Sequence, residues 1–483
     1  MKKIFHFAIG GILLSNLSIA QNETDALRYS QTTFGGTARS NAMGGAFGAL
    51  GADFSSLSTN PAGIAIYKKS EMTITPSFFN QTSNSNMNGA SLQDSKANFN
   101  LGNMGFVFAY YNDKAESKWK GVSFGIGYNR MNNFNNRIEM QTTNSKGSLL
   151  DVYLADGQAN GFNNSDQFGT QLAWNSNLVW QDSASGNFYH VLPYYGETQK
   201  KYIESSGSQG ETVFSLGANY DDKLYVGGTL GIQNIHYSES SQYTESMAND
   251  TVYGFKNFTL KQSLSTTGTG VNFKFGMIYK PINWMRIGAA FHSPTYFSMH
   301  DSWNSSISSV FTGSNAQYSS SASSPAGTFD YSLTTPARAV GSVGFVIKKM
   351  GLISADYEIV DYSSARLNSS SYDFINENQA IGNKYTAAQN VRVGGELRLQ
   401  PLSIRAGAAY YGSPYRNGGS NGARTSITGG IGFREQNFFI DFAYVYTMTK
   451  DSYYFYDPTI AYVDPSSNTL KNSSILMTVG FKF

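Results

Sequence analysis

Asn472-Ser-Ser-Ile-Leu-Met-Thr-Val-Gly-Phe-Lys-Phe483 are the last residues of the sequence. Counting back, Phe483, Phe481, Val479, Met477 and Ile475 are apolar, whereas Lys482, Gly480 and Thr478 are polar or small. A period of two is the side-chain period of a β-strand. A strand of roughly ten residues that ends on an aromatic has the length and pattern of a bilayer-crossing strand in a closed barrel.

The same alternation recurs upstream. Val122, Phe124, Ile126 and Tyr128 interleave with Gly121, Ser123, Gly125, Gly127 and Asn129. Val271/Phe273/Phe275/Met277/Tyr279, Leu402/Ile404/Ala406/Ala408/Tyr410 and Phe438/Ile440/Phe442/Tyr444/Tyr446 repeat it. Connections alternate in length. Short ones fall at 112–118, 221–223, 280–284, 348–351, 400–401 and 434–437, and long ones at 142–200, 238–254, 299–327, 363–388, 412–423 and 449–471. Short turns on one side and long loops on the other are the asymmetry of outer-membrane barrels, and pairing across these connections gives about 14 strands.

Composition agrees. Charged residues are 14% of the chain, against roughly 25% in a soluble domain. Mean hydropathy is only -0.32, as expected when every second strand residue faces lipid and the rest face a polar interior. The 32 Tyr and 33 Phe are enough to furnish interfacial girdles. A soluble sandwich would need charged outer faces, and these are aliphatic and aromatic.

Residues 1–20 read as a secretory signal peptide: Met1-Lys2-Lys3, an apolar stretch from Ile4 to Leu14, then Ser18-Ile19-Ala20. Residues 21–69 carry no spanning pattern and are rich in Gly and Ala, which let backbone pack on backbone as a compact plug requires. Residues 70–483 form the transmembrane barrel.

Several chemistries are excluded or lack support. With no Cys there is no disulfide, thiolate metal site or cysteine nucleophile. His190, His236, His292 and His300 lack metal-ligand spacing, so no metal or cofactor is expected. Gly45-x-x-Gly48-x-x-Gly51 follows no strand and has no Lys-Ser/Thr after it, so it is no phosphate loop. A net charge of +2 offers no field for nucleic acid. No nucleophile stands with a base, and the chain reads as no enzyme.

At Asn60-Pro61-Ala62-Gly63, after the Gly/Ala-rich run and before the first strand, the sequence resembles the FadL family of outer-membrane transporters for long-chain fatty acids and other hydrophobic compounds. Residues 42–63 look like that family's N-terminal hatch. The resemblance implies an all-β fold, a transmembrane antiparallel β-barrel of fourteen strands with the hatch inside its lumen. It also implies ligand capture at the cell surface, entry into the lumen, and sideways exit through a gap beside a kinked third strand. The family's lysine and arginine contacts to a carboxylate have no matching motif here, so the ligand's identity stays open.

Four groups of candidate residues follow. Asn60, Pro61, Ala62 and Gly63 form the hatch motif. Continuing the outward phase of the third strand puts Arg130 and Asn132 in lipid, at roughly 2–4 kcal/mol for Arg at the midplane. Either the strand has already crossed by Tyr128, or Arg130, Asn132, Asn133, Asn135 and Asn136 bend inward and break pairing. Arg286, Asp356, Glu358, Arg392, Glu396, Arg398 and Arg405 fall in the inward phase, where they either pair to hold the hatch or, for Arg392 or Arg398, bind a carboxylate. The 142–200 loop is unusually apolar; Leu172, Trp174, Trp180, Tyr189 and Tyr194 either pack on one another or form a capture groove.

The functional expectation is passive outer-membrane transport of hydrophobic small molecules, long-chain fatty acid-like ligands among them, with outer-membrane lipid and the ligand as partners. The alternative is a non-transporting surface barrel that docks other envelope or secretion proteins.

Overall fold

The structure, a computed structural model, describes residues 22–113, 116–247, 254–313, 317–348, 350–419 and 421–483. The expected signal peptide, 1–20, lies outside the described residues.

The closing strand, Ser466–Lys482, pairs on one side with Phe438–Tyr453 and on the other with the first strand, Glu71–Met87. Ile475 stands opposite Tyr444 in one register and Phe78 in the other. That double pairing closes the sheet, so no edge strand remains to be satisfied in a medium without water. The wall is a closed antiparallel barrel of 14 strands. In chain order they are Glu71–Met87, Ala90–Tyr111, Trp119–Asn133 continued by Asn136–Thr142, Thr198–Tyr220, Leu224–Ser246 and Phe255–Ile282. Next come Met285–His292 continued by Tyr296–Thr312, Gly327–Thr334 continued by Arg338–Ile347, and Gly351–Asp361 continued by Arg366–Asn368. The last five are Ala387–Leu399, Leu402–Tyr411, Arg424–Arg434, Phe438–Tyr453 and Ser466–Lys482. The breaks in the seventh and eighth strands hold Pro294 and Pro336, which cannot donate to a ladder.

Faces are inverted relative to a soluble protein. On the sixth strand Phe273 is 53% exposed, while its neighbour Lys274 is 3% exposed. Apolar side chains therefore clothe the outside and polar ones line the lumen. No helix among the described residues is long and apolar enough to cross a membrane; the strands do the crossing.

The strands run further than the alternation predicts. Within the expected loops at 238–254 and 299–327, residues 238–246 and 299–312 are strand, and the Ser-rich part of the second is a hairpin of Tyr296–Thr312 against Gln317–Ser323. Above the bilayer no lipid selects apolar residues at every second position, yet the backbone ladder continues.

Over this wall sits an outer cap. Helices Leu149–Asn160 and Thr170–Asn175 and the small hairpin Val179–Gln181/Phe188–His190 pack with Phe255, Phe258, Phe311 and Phe455 into one apolar core. A second core joins Leu27 and Tyr29 to Phe134, Tyr237, Phe374 and Ile381.

Residues 22–70 carry helices Glu23–Ser30, Ala38–Ala42 and Ser56–Thr59 and the 3-10 turn Pro61–Ile66. This N-terminal segment is almost wholly buried and is bonded to strands from all sides of the wall: Ala38 N–H donates to Thr478, Gly44 N–H to Thr428, Gly48 N–H to Asp356, and Ser58 to Glu211. It therefore lies inside the barrel.

Candidate functional site

The N-terminal segment is held by wall side chains that point inward. Arg39 Nε lies 2.8 Å from Glu396, which also accepts from Arg398 and Arg405, each at 2.7 Å; Arg405 in turn meets Asp441 at 2.6 Å. Asp356 accepts the backbone N–H groups of Phe47 and Gly48 at 3.1 Å. Arg286 donates to the Leu50 carbonyl. Arg392 pairs with Glu358 at 3.3 Å and lies 3.7 Å from Asp356. Each charge of the sequence-derived set is thus engaged with the segment or with another member of the set. Opposed charges in a dry space require such pairing, since one left alone is strongly destabilising.

Asn60 joins segment and wall. Its Nδ2 donates to Gly48 O at 2.6 Å and to Met277 O at 3.3 Å, while its Oδ1 accepts from Ala62 N–H at 3.1 Å. Pro61 begins the 3-10 turn, where its fixed φ and missing N–H cost nothing. Gly276 on the sixth strand makes room: a Cβ there would sit 1.9 Å from Asn60 Oδ1. Ala62 and Gly63 are buried, Gly63 against Ser56 and Gly51.

The third strand loses its ladder on one side. Its ladder with the second strand ends at Asn103↔Asn129, and its register with the fourth slips between Arg130 and Asn132. Thr33 N–H donates to the Met131 carbonyl at 2.8 Å, and Arg130 Nε donates to Leu101 O at 3.2 Å. A Cβ at Gly35 would lie 2.1 Å from Arg130 O, so only glycine permits the segment to approach this closely. Asn133 Oδ1 accepts from Asn135 N–H at 3.0 Å, an Asx turn that bends the chain inward. Asn132 donates to Gln31 O at 3.0 Å, and Asn136 takes a bond from Gln81. Continued past Asn132, the outward phase of the third strand would include Phe134 and Met140, but beyond the bend it does not hold. Phe134 packs edge-on against Tyr29 and Tyr237, and Met140 is fully buried. A slip of one residue reverses every side chain after it.

Two cavities flank Thr33-Phe34-Gly35. One, of about 160 Å³, lies against the break, walled by Phe34, Phe79, Val445 and Leu476 and edged by Arg130, Asn132 and Asn133. The other, of about 70 Å³, has Lys274, His292, Arg338, Glu358 and Arg392 in its lining beside Tyr29, Phe34 and Tyr411.

Outside, Trp180 and Tyr189 line a broad groove of about 580 Å³ together with Phe311 and Tyr318 from the extended wall. Leu172 and Trp174 do not reach it. Leu172 is buried in the cap core, and Trp174 stacks on Phe162 at 4.6 Å. Tyr194 is exposed outside the groove.

Sequence reading missed Glu211 and Arg338. Glu211, which is paired with Lys274, bonds Ser58, and Arg338 reaches Ser30 O and Glu358. Both share the inward phase of strands whose apolar alternation begins later, at Phe214 and Val343. Extending that phase a few residues upstream would have found them.

A cavity beside a broken ladder, inside a stoppered barrel, is the arrangement of a channel. Residues 17–483 match the family described as outer membrane protein transport protein (OMPP1/FadL/TodX). The chain belongs to this family. It is an outer-membrane β-barrel of a family of channels for hydrophobic compounds, not of enzymes. Among solved structures, the fold of this OMPP1/FadL/TodX member is similar to that of a Pseudomonas aeruginosa FadL homologue, with TM-score 0.56 and 15% identity over 94% of this chain and 99% of that one. The P. putida toluene transporter TodX aligns with TM-score 0.53 and 11% identity over 93% and 99%. The Ralstonia pickettii toluene transporter TbuX aligns with TM-score 0.50 and 15% identity over 93% and 99%. No match was found among the curated proteins.

Proposed function

We propose that this channel passes small hydrophobic molecules passively across the outer membrane and releases them sideways into the bilayer. The observation that carries the reading is the end of the strand two–strand three ladder at Asn103↔Asn129, directly beside the 160 Å³ cavity. Ligand meets the aromatic groove at Trp180 and Tyr189, moves into the lumen, and occupies the cavity at Phe34, Phe79 and Leu476. It leaves through the break at Arg130–Asn136. The N-terminal segment acts as the hatch, with Asn60-Pro61-Ala62-Gly63 as its anchor to the wall.

Two relatives are described as toluene transporters, and a cavity of about 150 Å³ has room for a benzene-sized molecule, here between the apolar faces of Phe34, Phe79, Val445 and Leu476 and a polar rim that includes Arg130 and Arg424. A compact hydrocarbon, or one portion of an acyl chain, therefore suits the cavity. Arg392 and Arg398, the two arginines weighed as carboxylate ligands, already pair with Glu358 and Glu396, which disfavours a carboxylate at those two positions. A docking role draws no support from a family of transport channels.

Mass spectrometry of ligands co-extracted with the purified barrel, followed by uptake into proteoliposomes, tests the reading. Bound hydrocarbons or acyl chains and saturable uptake are expected. A stoichiometric protein partner with no small ligand, and no uptake, would reject it.

A further inference from the structure

Between the second and third strands the wall above Asn103↔Asn129 is joined by side chains in place of a ladder. Strand two continues to Ala90 and the third strand to Thr142, yet their main chains do not pair there. Phe78 and Phe99 stand opposite one another and outward-facing at this height, so the seam starts within the apolar band and rises out of it. Asn133 Nδ2 donates to Asn98 Oδ1 at 3.2 Å. Directly above, Lys96 Nζ bonds Glu204 Oε1 at 2.9 Å and Ser205 O at 2.8 Å, both on the fourth strand. Arg137 Nη2 reaches the same Glu204 oxygen at 3.2 Å, and Arg137 Nη1 lies 3.9 Å from Asp94. Tyr202 donates to the other Glu204 oxygen at 2.9 Å.

We infer that Lys96, Glu204 and Arg137 clamp this seam and set the width of the lateral opening, which makes them determinants of the size of molecule that leaves. A ladder resists widening because every backbone group must be re-satisfied. Side-chain ion pairs do not impose that cost. These pairs are part-exposed, with side-chain exposure of 16% for Lys96 and 33% for Glu204, so salt screens them. The clamp lies on the extracellular side of Arg130–Asn136, where it restrains the flap formed by the first two strands. Its role in exit rests on the lateral-release reading; its effect on seam width does not.

The chain has no Cys, so spin labels can be placed cleanly at Ala97→Cys and Ser206→Cys, on the two sides of the seam. Pulsed electron resonance would compare the parent pair with the same pair carrying K96M/E204Q and with K96R, in barrels whose heat-modifiable gel mobility shows folding. The parent and K96R should give one narrow distance. K96M/E204Q, and the parent at high salt, should give a longer and broader one, and release of ligand to the bilayer should rise roughly two- to fivefold, the scale of a part-exposed ion pair. A distance distribution unchanged in K96M/E204Q overturns the clamp. A seam that widens while uptake stays at the parent rate leaves the clamp standing and rejects lateral release.

Discussion

Arg39 Nε and Glu396 Oε2 lie 2.8 Å apart across 357 residues of chain, both buried, one in the N-terminal segment and one in the tenth wall strand. Glu396 is also the shared acceptor of Arg398 and Arg405, so a single carboxylate gathers three guanidinium groups. The two ends of this contact respond differently to substitution. Arg39→Ala leaves Glu396 two partners and should cost about 1.5–3 kcal/mol, the scale of a hydrogen bond to a charged group. Glu396→Gln leaves the buried Arg39 without its carboxylate, leaves Arg405 only Asp441, and should cost more, about 3–5 kcal/mol. Denaturant unfolding, with hydrogen exchange over residues 36–66, would measure both; equal costs would contradict the shared-acceptor account.

The Asn60 contacts predict a matched pair of variants. Asn60→Ala removes bonds to Gly48 O and Met277 O and the cap of the 3-10 turn. Gly276→Ala places a methyl where Asn60 Oδ1 stands. Both should release the segment by about 1–3 kcal/mol, the cost of leaving buried polar groups unpaired. Faster amide exchange at residues 48–66 is expected in each, and the double variant should add little, because both break one contact.

Docking of the helix Glu23–Ser30 should depend on pH. Burial pushes the Asp25 carboxyl from 3.8 up to about 7, against the opposing pull of Arg28. A raised carboxyl binds its proton more tightly in the docked state, so its stabilisation is complete below the unfolded value. It is lost as pH rises through about 7. Amide protection of Glu23–Ser30, corrected for intrinsic rates, should fall between about pH 4 and about pH 7 and level off above. Asp25→Asn should flatten that slope; a slope retained in Asp25→Asn assigns it to another group.

The outer loop should separate into a capture part and a structural part. Trp180→Ala and Tyr189→Ala, which strip the groove, should lower uptake at low ligand concentration, the exposed Tyr189 with little change in stability and Trp180 with a modest loss because it also packs against the cap core. Leu172→Ala hollows the cap core and should cost about 2–5 kcal/mol. Uptake at limiting ligand and thermal unfolding of the cap give the two readouts. Parent-level uptake in the Trp180 and Tyr189 variants would remove the groove from the pathway.

The candidate site was only partly visible before the structure. Arg392 and Glu396 stood out because lipid forces apolar residues to alternate with them; Glu211 and Arg338 were overlooked because they sit where that forcing fades. Trp180 and Tyr189 looked no different from Leu172 and Trp174, since an apolar side chain in a loop carries no mark of whether it packs inward or lines a groove.

From sequence alone the barrel, its strand number and its inverted faces were determined, because a bilayer imposes a local rule on every second residue of each spanning strand. The Asn60-Pro61-Ala62-Gly63 turn was likewise readable as a local stiff element. Only the tertiary structure decided that Arg39 meets Glu396, that Asn60 reaches Met277, and that the third strand slips at Met131 and turns Phe134 inward. Those facts depend on register summed around a closed ring and on a one-residue bulge, and neither leaves a periodic trace in the chain.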